Sequence, residues 1–304
     1  MQRSTSPLIA GLLEPAAHVS PKYLYDALGS RLFEAITELP EYYPTRTEAA
    51  IFSRHARDVA RETGLGSTLI DLGAGNCAKA ASLFPVLAPA QYVAVDISAD
   101  FLEQSLAALR PRFPALPMLG LGLDFSSKLE LPPQVRRERR LFFYPGSSLG
   151  NFSPAEALAF LRSLRGQCDG GGVLLGLDLV KDEATLNAAY DDALGVTAAF
   201  NLNMLRHLNA AEGTDFHVED WKHVAFFNRE AARIEMHLEC RGGATVRWPG
   251  GSRRFAAGER IHTENSYKYR VPQLRALLND AGFAAPTVWT DEREWFAVCY
   301  ARAV

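Results

Sequence analysis

A short segment combines two glycines with an acid and a base at close spacing. It reads Asp71-Leu-Gly73-Ala-Gly75-Asn-Cys-Ala-Lys79, and an apolar run that begins at Ser67 leads into it. Two glycines allow the backbone to approach a ligand closely where a strand ends. The carboxylate of Asp71 and the ammonium of Lys79 suit a ligand that itself carries an ammonium and a carboxylate. The methionine end of S-adenosylmethionine has these two charges, so the segment predicts a site for this cofactor.

Further acids follow the next two apolar runs. Asp96 ends the run from Tyr92, where a carboxylate can accept hydrogen bonds from ribose hydroxyls. Asp124 and Phe125 follow the run from Pro117 and offer an acceptor and an aromatic face to an adenine ring. The predicted cofactor-binding residues are Asp71, Gly73, Gly75, Lys79, Asp96, Asp124 and Phe125.

Other interpretations fit parts of the pattern. The glycine turn also satisfies the GxGxxA spacing of dinucleotide-binding proteins, with Asp96 as the ribose acid. Asp71 and Lys79 favour the sulfonium cofactor over a pyrophosphate, and a structural turn without a ligand is a third alternative. Residues 146–150 satisfy the GxSxG spacing of hydrolases if Ser148 is the nucleophile, but histidine and aspartate partners cannot be identified.

These residues require a scaffold in which strands alternate with helices. Apolar runs expected to form strands occupy residues 67–72, 92–95, 117–121, 141–144 and 173–179. Helical patterns separate them, which is typical of βαβ units and a parallel sheet. Capping boxes at 45–48 and 153–156 predict helix starts, the first for a helix over about 45–62. The fold class is therefore α/β with a doubly wound sheet.

The chain is longer than that scaffold requires. It continues from Leu179 to residue 304, whereas a closing helix and one or two strands need only about 50 residues. A helical pattern at 272–281 and a hairpin over 287–300 can close the sheet. We interpret the surplus as an inserted second lobe that includes the N-terminal segment. The predicted domains are 45–181 plus 269–304 for the cofactor, and 1–44 plus 182–268 for the second lobe.

Composition argues against several classes of partner. The 32 Lys and Arg residues against 35 Asp and Glu give a net charge of −3, so no basic field favours nucleic acid or an anionic membrane. The four cysteines form no CxxC pair, and no histidines have metal-ligand spacing. No run approaches the ~18 apolar residues of a membrane helix, and the N-terminus lacks a signal-peptide pattern. We expect a cytoplasmic protein without a metal, nucleic acid or membrane partner, and favour a monomer.

Seven motifs, spread in order along the chain, carry a family resemblance. They are LPEYYPTR (39–46), GSSLGNF (146–152), DLVKD (178–182), AYDD (189–192), FNLN (200–203), IEMHL (234–238) and TENS (263–266). Together they resemble the S-adenosylmethionine-dependent histidine Nα-methyltransferases of ergothioneine biosynthesis. The resemblance implies a class I methyltransferase fold, Rossmann-like, with an inserted substrate-binding lobe. It covers the chain from about Ser20 to the end.

The resemblance also implies the reaction. The family transfers methyl groups from S-adenosylmethionine to the α-amino nitrogen of L-histidine, up to Nα,Nα,Nα-trimethylhistidine (hercynine), a step towards ergothioneine. Such an in-line displacement needs a neutral amine held close to the methyl carbon, so positioning does most of the work and we assign no dedicated general base. Two alternatives stay open: methylation of another amino acid or an aromatic amine, and a non-catalytic S-adenosylmethionine sensor.

Roles at the amino end of the substrate follow from the same resemblance. Tyr43, Asn151 and Tyr190 correspond to the catalytic residues that hold the α-amino and carboxylate groups. Tyr25 is expected in the same wall of the pocket. The match is ambiguous by one residue at the Tyr-Tyr pair, so whether Tyr42 or Tyr43 faces the substrate stays open.

Roles at the imidazole end are implied for three further residues. Glu264 and Ser266 correspond to residues that hydrogen-bond the imidazole ring, and Met236 lines the pocket beside it. A carboxylate built to accept an imidazole N–H rejects an apolar analogue, which would leave the acid unpaired. Asn265 and Tyr267 stand where some relatives have Ile and Ala, so fine substrate preference is not fixed by the resemblance.

Overall fold

The computed structural model describes residues 6–125 and 129–304 and contains three β-sheets. The strands in chain order are β1 Thr68–Leu72, β2 Gln91–Asp96, β3 Met118–Gly122, β4 Arg140–Tyr144, β5 Gly172–Asp178, β6 Trp221–Asn228, β7 Arg233–Cys240, β8 Ala244–Trp248, β9 Gly251–Phe255, β10 Arg260–Tyr267, β11 Thr287–Thr290 and β12 Phe296–Arg302. The α-helices are α1 Pro7–Leu13, α2 Ala27–Thr37, α3 Tyr43–Thr63, α4 Ala78–Leu87, α5 Ala99–Leu109, α6 Pro154–Arg165, α7 Glu183–Tyr190, α8 Val196–Glu212 and α9 Val271–Asp280.

The largest sheet has seven strands in the order β11-β12-β5-β4-β1-β2-β3. Strands β1 to β5 run parallel, whereas β12 is antiparallel to both of its neighbours. The strand order reverses at β1, which pairs with β2 on one side and β4 on the other. Ligands of doubly wound sheets bind at the carboxyl ends of the strands beside such a reversal. The predicted doubly wound α/β sheet is confirmed.

Both faces of this sheet are covered by helices, which explains its continuous apolar strands. Ile70 and its neighbours on one face pack with residues of α6 and α9. Leu69 and its neighbours on the other face pack with residues of α3, α4 and α5. Every residue of β1, β4 and β5 is buried, so these strands form a rigid base for the loops that follow them.

The chain divides into two compact units. We name Pro44–Val180 with Lys268–Val304 the large-sheet unit, and Met1–Tyr43 with Lys181–Tyr267 the small-sheet unit. The small-sheet unit contains an antiparallel sheet in the order β10-β7-β6 and the β8–β9 hairpin. Helices α7 and α8 pack on β6 and β7. Which ligand each unit binds stays a prediction.

Two neighbouring segments of the large-sheet unit connect it to the inserted sequence. The chain leaves this unit after Val180 and returns at Lys268. The backbone N–H of Val180 donates to the carbonyl of Tyr269 at 3.0 Å, and the N–H of Tyr269 donates to the carbonyl of Asp178 at 2.9 Å. The ammonium of Lys268 also lies 2.8 Å from the carboxylate of Asp178, and both side chains are fully buried. The exit and return points are therefore joined within one unit.

One of the two capping-box predictions is wrong. Ser153 and Glu156 form the reciprocal pair that was predicted at the start of α6. Helix α3, however, begins at Tyr43, so Thr45 lies inside it and cannot be its N-cap. Pro44 in the first turn fits that earlier start, because proline tolerates the first helical positions. The carboxylate of Glu48 is consequently available for other partners.

Candidate functional site

The glycine turn lies at the end of β1, where the strand order reverses. The N–H groups of Gly73 and Ala74 donate to the carbonyl of Val95 at 2.8 and 3.1 Å, and the N–H of Gly75 donates to Asp96 Oδ2 at 3.0 Å. Gly73 and Gly75 have φ values of +71° and +52°, in the region that favours glycine. A Cβ on Gly75 would have no heavy atom within 4 Å, so the turn borders open space.

Asp96 is held in one orientation by the backbone. Its Oδ1 accepts from the N–H of Ser98 at 3.1 Å, while Oδ2 accepts from Gly75. A carboxylate oxygen can accept a second hydrogen bond, so both oxygens keep capacity for ribose hydroxyls. Phe125 lies beside the same turn, with its Cζ 3.9 Å from the position of a Cβ on Gly73. Asp124 is partly buried just after β3.

Asp71 lies beneath the turn and not on its surface. Its side chain is 2 % exposed, and its Oδ2 accepts from the hydroxyl of Tyr92 at 2.8 Å. Burial raises the pKa of this carboxyl to about 7. The partnership with Tyr92 was not expected from the sequence. A contact of Asp71 with a cofactor ammonium stays a prediction.

Lys79 projects from the first turn of α4 and pairs with a residue that sequence analysis missed. Its Nζ lies 2.6 Å from Glu48 Oε2, and the other carboxylate oxygen of Glu48 accepts from the N–H of Gly146 at 2.8 Å. Glu48 is 1 % exposed, whereas the Lys79 side chain is 40 % exposed. The missed signal is a glutamate on the apolar face of α3, three and four residues before Ile51 and Phe52.

These groups fit the chemistry of S-adenosylmethionine. The turn borders open space that a side chain at Gly75 would enter, Asp96 provides an oriented carboxylate, and Lys79 provides a partly exposed cation. Each of these features matches one part of the cofactor: its close approach to the backbone, its ribose and its carboxylate.

In the small-sheet unit, a β-bulge determines which way Glu264 and Ser266 face. His262 pairs with His237, but Glu264 pairs with Met236, so one extra residue lies on β10 between them. Because side chains alternate along a strand, this extra residue transfers everything after it to the opposite face. Glu264 and Ser266 therefore share a face with Met236. Thr263 supports the bulge by donating its hydroxyl to the carbonyl of Met236 at 3.0 Å.

A partly buried polar and aromatic cluster contains four of the predicted substrate residues. The hydroxyls of Tyr190 and Ser266 are joined by a hydrogen bond of 2.8 Å. The ring of Tyr42 meets the ring of Tyr190 edge-to-face at 6.1 Å. Phe33 lies between Tyr42 and Tyr25, at 6.1 and 5.6 Å from their rings. With Glu264 on the same face of β10 as Ser266, these side chains form one group.

Tyr42 and Tyr43 have different partners. Tyr42 belongs to the cluster around Tyr190, whereas the hydroxyl of Tyr43 accepts from Lys181 Nζ at 2.6 Å. The same ammonium lies 4.3 Å from the centroid of the Tyr43 ring.

Asn151 ends a short 3₁₀ helix, Ser148–Asn151, in the large-sheet unit. In the hydrolase alternative Ser148 is the nucleophile, but its hydroxyl donates to the carbonyl of Pro145 at 3.0 Å within this turn.

Sequence analysis also missed His223 and Asn201, which form a hydrogen-bond network with the backbone of Tyr190. His223 Nε2 lies 2.9 Å from the backbone carbonyl of Tyr190, and the amide nitrogen of Asn201 lies 2.9 Å from His223 Nδ1. The same amide donates to the carbonyl of His237 at 3.0 Å. Asn201 falls in the FNLN motif, but no sequence pattern pairs it with His223.

Within 6–125 and 129–304, no group of three or more His, Cys, Asp or Glu side chains could hold a metal ion. Over the same ranges, no helix has both the length and the apolar character of a membrane span.

Comparison with solved structures defines the class of fold. Magnesium protoporphyrin IX methyltransferase from Synechocystis PCC 6803, solved with bound S-adenosylmethionine, aligns with a TM-score of 0.50 over 95% of this chain and 99% of that chain, at 12% identity. At that identity the likeness shows the fold alone, which is that of class I S-adenosylmethionine-dependent methyltransferases.

Comparison of sequences identifies the family. The profile of the family described as "Histidine-specific methyltransferase, SAM-dependent" matches residues 4–303, and the chain belongs to this family. It is 39% identical to histidine N-alpha-methyltransferase from Mycolicibacterium smegmatis over 93% of this chain and 89% of that protein. It is 38% identical to the enzyme of the same name from Mycobacterium tuberculosis, over 96% and 92%. The prediction of S-adenosylmethionine over a dinucleotide is confirmed.

Proposed function

We propose that this chain transfers methyl groups from S-adenosylmethionine to the α-amino nitrogen of L-histidine, up to the trimethylated product hercynine, as a step towards ergothioneine. The observation that carries the proposal is the match to the histidine-specific family over almost the whole chain. The large-sheet unit binds the cofactor, and the small-sheet unit contributes the residues that recognise the imidazole.

The cofactor supplies a methyl group on a sulfonium centre, and the chain's residues hold its other parts. Asp96 accepts hydrogen bonds from the ribose hydroxyls, and Lys79 pairs with the methionyl carboxylate. Gly73 and Gly75 let the backbone approach closely. Asp124 and Phe125 bind the adenine, Phe125 with the face of its ring. The oriented Asp96 carboxylate and the open space at Gly75 support these assignments.

Recognition of the imidazole depends on the face that the bulge in β10 creates. Glu264 accepts an imidazole N–H, and the hydroxyl of Ser266, which is hydrogen-bonded to that of Tyr190, provides a second polar contact. Met236, directly opposite Glu264 in the sheet, packs against the ring. An apolar side chain in place of imidazole would offer no N–H to the buried Glu264 carboxylate, and a hydrogen bond to a charged group contributes about 1.5–3 kcal/mol.

The amine must be presented as a neutral lone pair before each transfer. Tyr43, Asn151 and Tyr190 hold the α-amino and carboxylate groups, and a tyrosine hydroxyl or a water molecule passes the released proton to solvent. After each step the nitrogen must be re-presented while the rest of the substrate stays in place. Contacts far from the nitrogen, such as that of Glu264 with the imidazole, keep the substrate in place through the successive methyl transfers.

Mass spectrometry tests the reaction. Purified protein is incubated with S-adenosylmethionine and an equimolar mixture of the twenty amino acids. We expect histidine alone to gain one, two and three methyl groups. Methylation of another amino acid, or of an aromatic amine in a second assay, would replace the histidine proposal. Cofactor binding without any methylated product would favour a sensor.

The pocket assignment has its own test. Glu264→Gln should weaken histidine binding about tenfold or more and leave S-adenosylhomocysteine binding unchanged, since a charged hydrogen bond to the ring is lost. Glu239→Gln is the matched control, because Glu239 pairs with Lys222 and Arg260 further along the same sheet. Equal losses of histidine and S-adenosylhomocysteine affinity in Glu264→Gln would contradict the assignment.

The surroundings of the protein are part of the proposal. A cytoplasmic location suits four cysteines that are all buried thiols. A monomer without nucleic-acid or membrane partners is the expected form. Light scattering after size-exclusion chromatography checks it, and a mass of two chains would refute it.

A further inference from the structure

Glu48 is a buried carboxylate that joins three separate segments of the large-sheet unit. It projects from α3, pairs with Lys79 on α4 at 2.6 Å, and accepts from the backbone of Gly146 after β4 at 2.8 Å. A buried charge is strongly disfavoured unless it is paired and hydrogen-bonded. Both oxygens of Glu48 meet this condition, one with a cation and one with a backbone donor.

Two glycines make room for this arrangement. A Cβ on Gly176 of β5 would lie 1.8 Å from Glu48 Oε1, so only glycine fits where the carboxylate lies. A Cβ on Gly146 would lie 3.2 Å from Lys79 Nζ, which is tighter than ordinary contact. The space around the Glu48–Lys79 pair is therefore matched to these two side chains.

We propose that Glu48 is a positioning residue for the methionyl end of S-adenosylmethionine, acting through Lys79. A lysine ammonium on its flexible four-carbon stem has three N–H donors, and the Glu48 pair uses one of them. The pair fixes the direction of the remaining donors, which then meet the cofactor carboxylate without a further loss of side-chain entropy. The inference rests on the proposed function in one respect, the assignment of Lys79 to that carboxylate.

The same carboxylate fixes the loop at Gly146. This residue begins the GSSLGNF motif, which also contains Asn151. The hydrogen bond from its N–H to Glu48 thus ties the start of that motif to the residue that orients Lys79. If Glu48 instead only stabilised the packing of α3 against the sheet, its replacement would weaken binding of every part of the cofactor to the same extent.

A matched pair of ligands separates these two roles. S-adenosylhomocysteine carries the amino-acid end, whereas 5′-methylthioadenosine lacks it and keeps the adenosine. By isothermal titration calorimetry, Glu48→Gln should weaken S-adenosylhomocysteine roughly 10- to 100-fold and leave 5′-methylthioadenosine within about twofold. Loss of both affinities by the same factor, or of neither, would overturn the proposal.

The control is Asp58→Asn on the same helix. Asp58 makes an exposed ion pair with Arg61, so its replacement removes a charge from α3 far from the buried pair. Both ligands should bind this variant as they bind the wild type. Glu48→Asp provides a second test, because it keeps the charge that neutralises Lys79 but is too short to span both donors. It should produce the same split between the two ligands.

A double-mutant cycle tests the route through Lys79. Lys79→Met should weaken S-adenosylhomocysteine selectively, and adding Glu48→Gln should weaken it no further. Additive losses would mean that Glu48 acts independently of Lys79 and would overturn the inference. No selective loss in Lys79→Met would refute the proposed role of Lys79 itself. Neither titration contains histidine, so these outcomes are independent of the identity of the methyl acceptor.

Discussion

Replacement of His223 by leucine tests whether the contact of His223 with the backbone of Tyr190 affects kcat/KM for histidine. His223 Nε2 lies 2.9 Å from the Tyr190 carbonyl, and the Asn201 amide nitrogen is 2.9 Å from His223 Nδ1. Since an amide NH₂ can only donate, this network assigns the proton of the neutral ring to Nε2, which donates to Tyr190. Leucine removes both contacts while keeping a side chain of similar bulk.

The magnitude follows from burial. Loss of one partner in a buried hydrogen bond costs about 1–3 kcal/mol, because the other partner is left unsatisfied. If the lost contact displaces Tyr190 and the whole cost appears in the free energy of the transition state, kcat/KM for histidine drops about 5- to 150-fold. His223→Gln should retain most of the activity, since its amide can still donate to the Tyr190 carbonyl.

Initial rates at saturating S-adenosylmethionine, with histidine varied, measure the effect. His207→Leu is the control, because His207 Nδ1 makes the same type of contact, at 2.8 Å, to the carbonyl of Tyr23, which has no predicted role. We expect His207→Leu to leave kcat/KM within about threefold of wild type. Equal losses in the two leucine variants, or a parallel loss of S-adenosylhomocysteine affinity in His223→Leu, would refute the reasoning.

Three further predictions concern buried ionisable groups, each followed by urea or thermal unfolding. Burial lowers the pKa of His237 to about 4, so this imidazole favours the folded state less as pH drops from about 6.5 to about 4; the stability of His237→Gln should rise relative to wild type over that range, and an unchanged difference would contradict this. Lys268→Met should cost about 3–5 kcal/mol because it removes the cation that is paired with the buried carboxylate of Asp178, and adding Asp178→Asn should recover part of that loss; no recovery would contradict the pairing. Burial raises the pKa of Asp71 to about 7, so this carboxyl favours the folded state less as pH rises from about 4 to about 7; the stability of Asp71→Asn, still bonded to Tyr92, should rise relative to wild type over that range, and an unchanged difference would count against this.

The large sheet could be predicted from sequence because burial on both faces leaves a plain signal. Its first five strands are short apolar runs that alternate with helical patterns, which predicts a parallel sheet, whereas the position of the reversal at β1 is seen only in the structure. The strands of the small sheet were not predicted individually. Their register depends on one extra residue between His262 and Glu264, and pairing of distant segments decides which residue that is.

In the candidate site, too, local sequence patterns could be predicted, whereas contacts between residues distant in sequence could not. The glycine turn and Asp96 belong to a local pattern, so their positions could be anticipated. The partners of Glu48 could not, since its hydrogen bond to Gly146 spans 98 positions and its place near a helix start imitates a capping box. Likewise, Asp71 precedes a glycine turn in sequence, but the Tyr92 hydroxyl that binds it comes from the neighbouring strand.

The adjoining exit and return points of the inserted sequence have a consequence for how such enzymes diversify. Val180 and Tyr269 are joined by a backbone hydrogen bond of 3.0 Å, so the segment 181–267 is connected to the large-sheet unit at two neighbouring points. Insertions with closely spaced ends are well tolerated by a host domain. Under the proposed division of roles, replacing this segment together with residues 6–43 would change the acceptor and leave the cofactor-binding residues of the large-sheet unit in place.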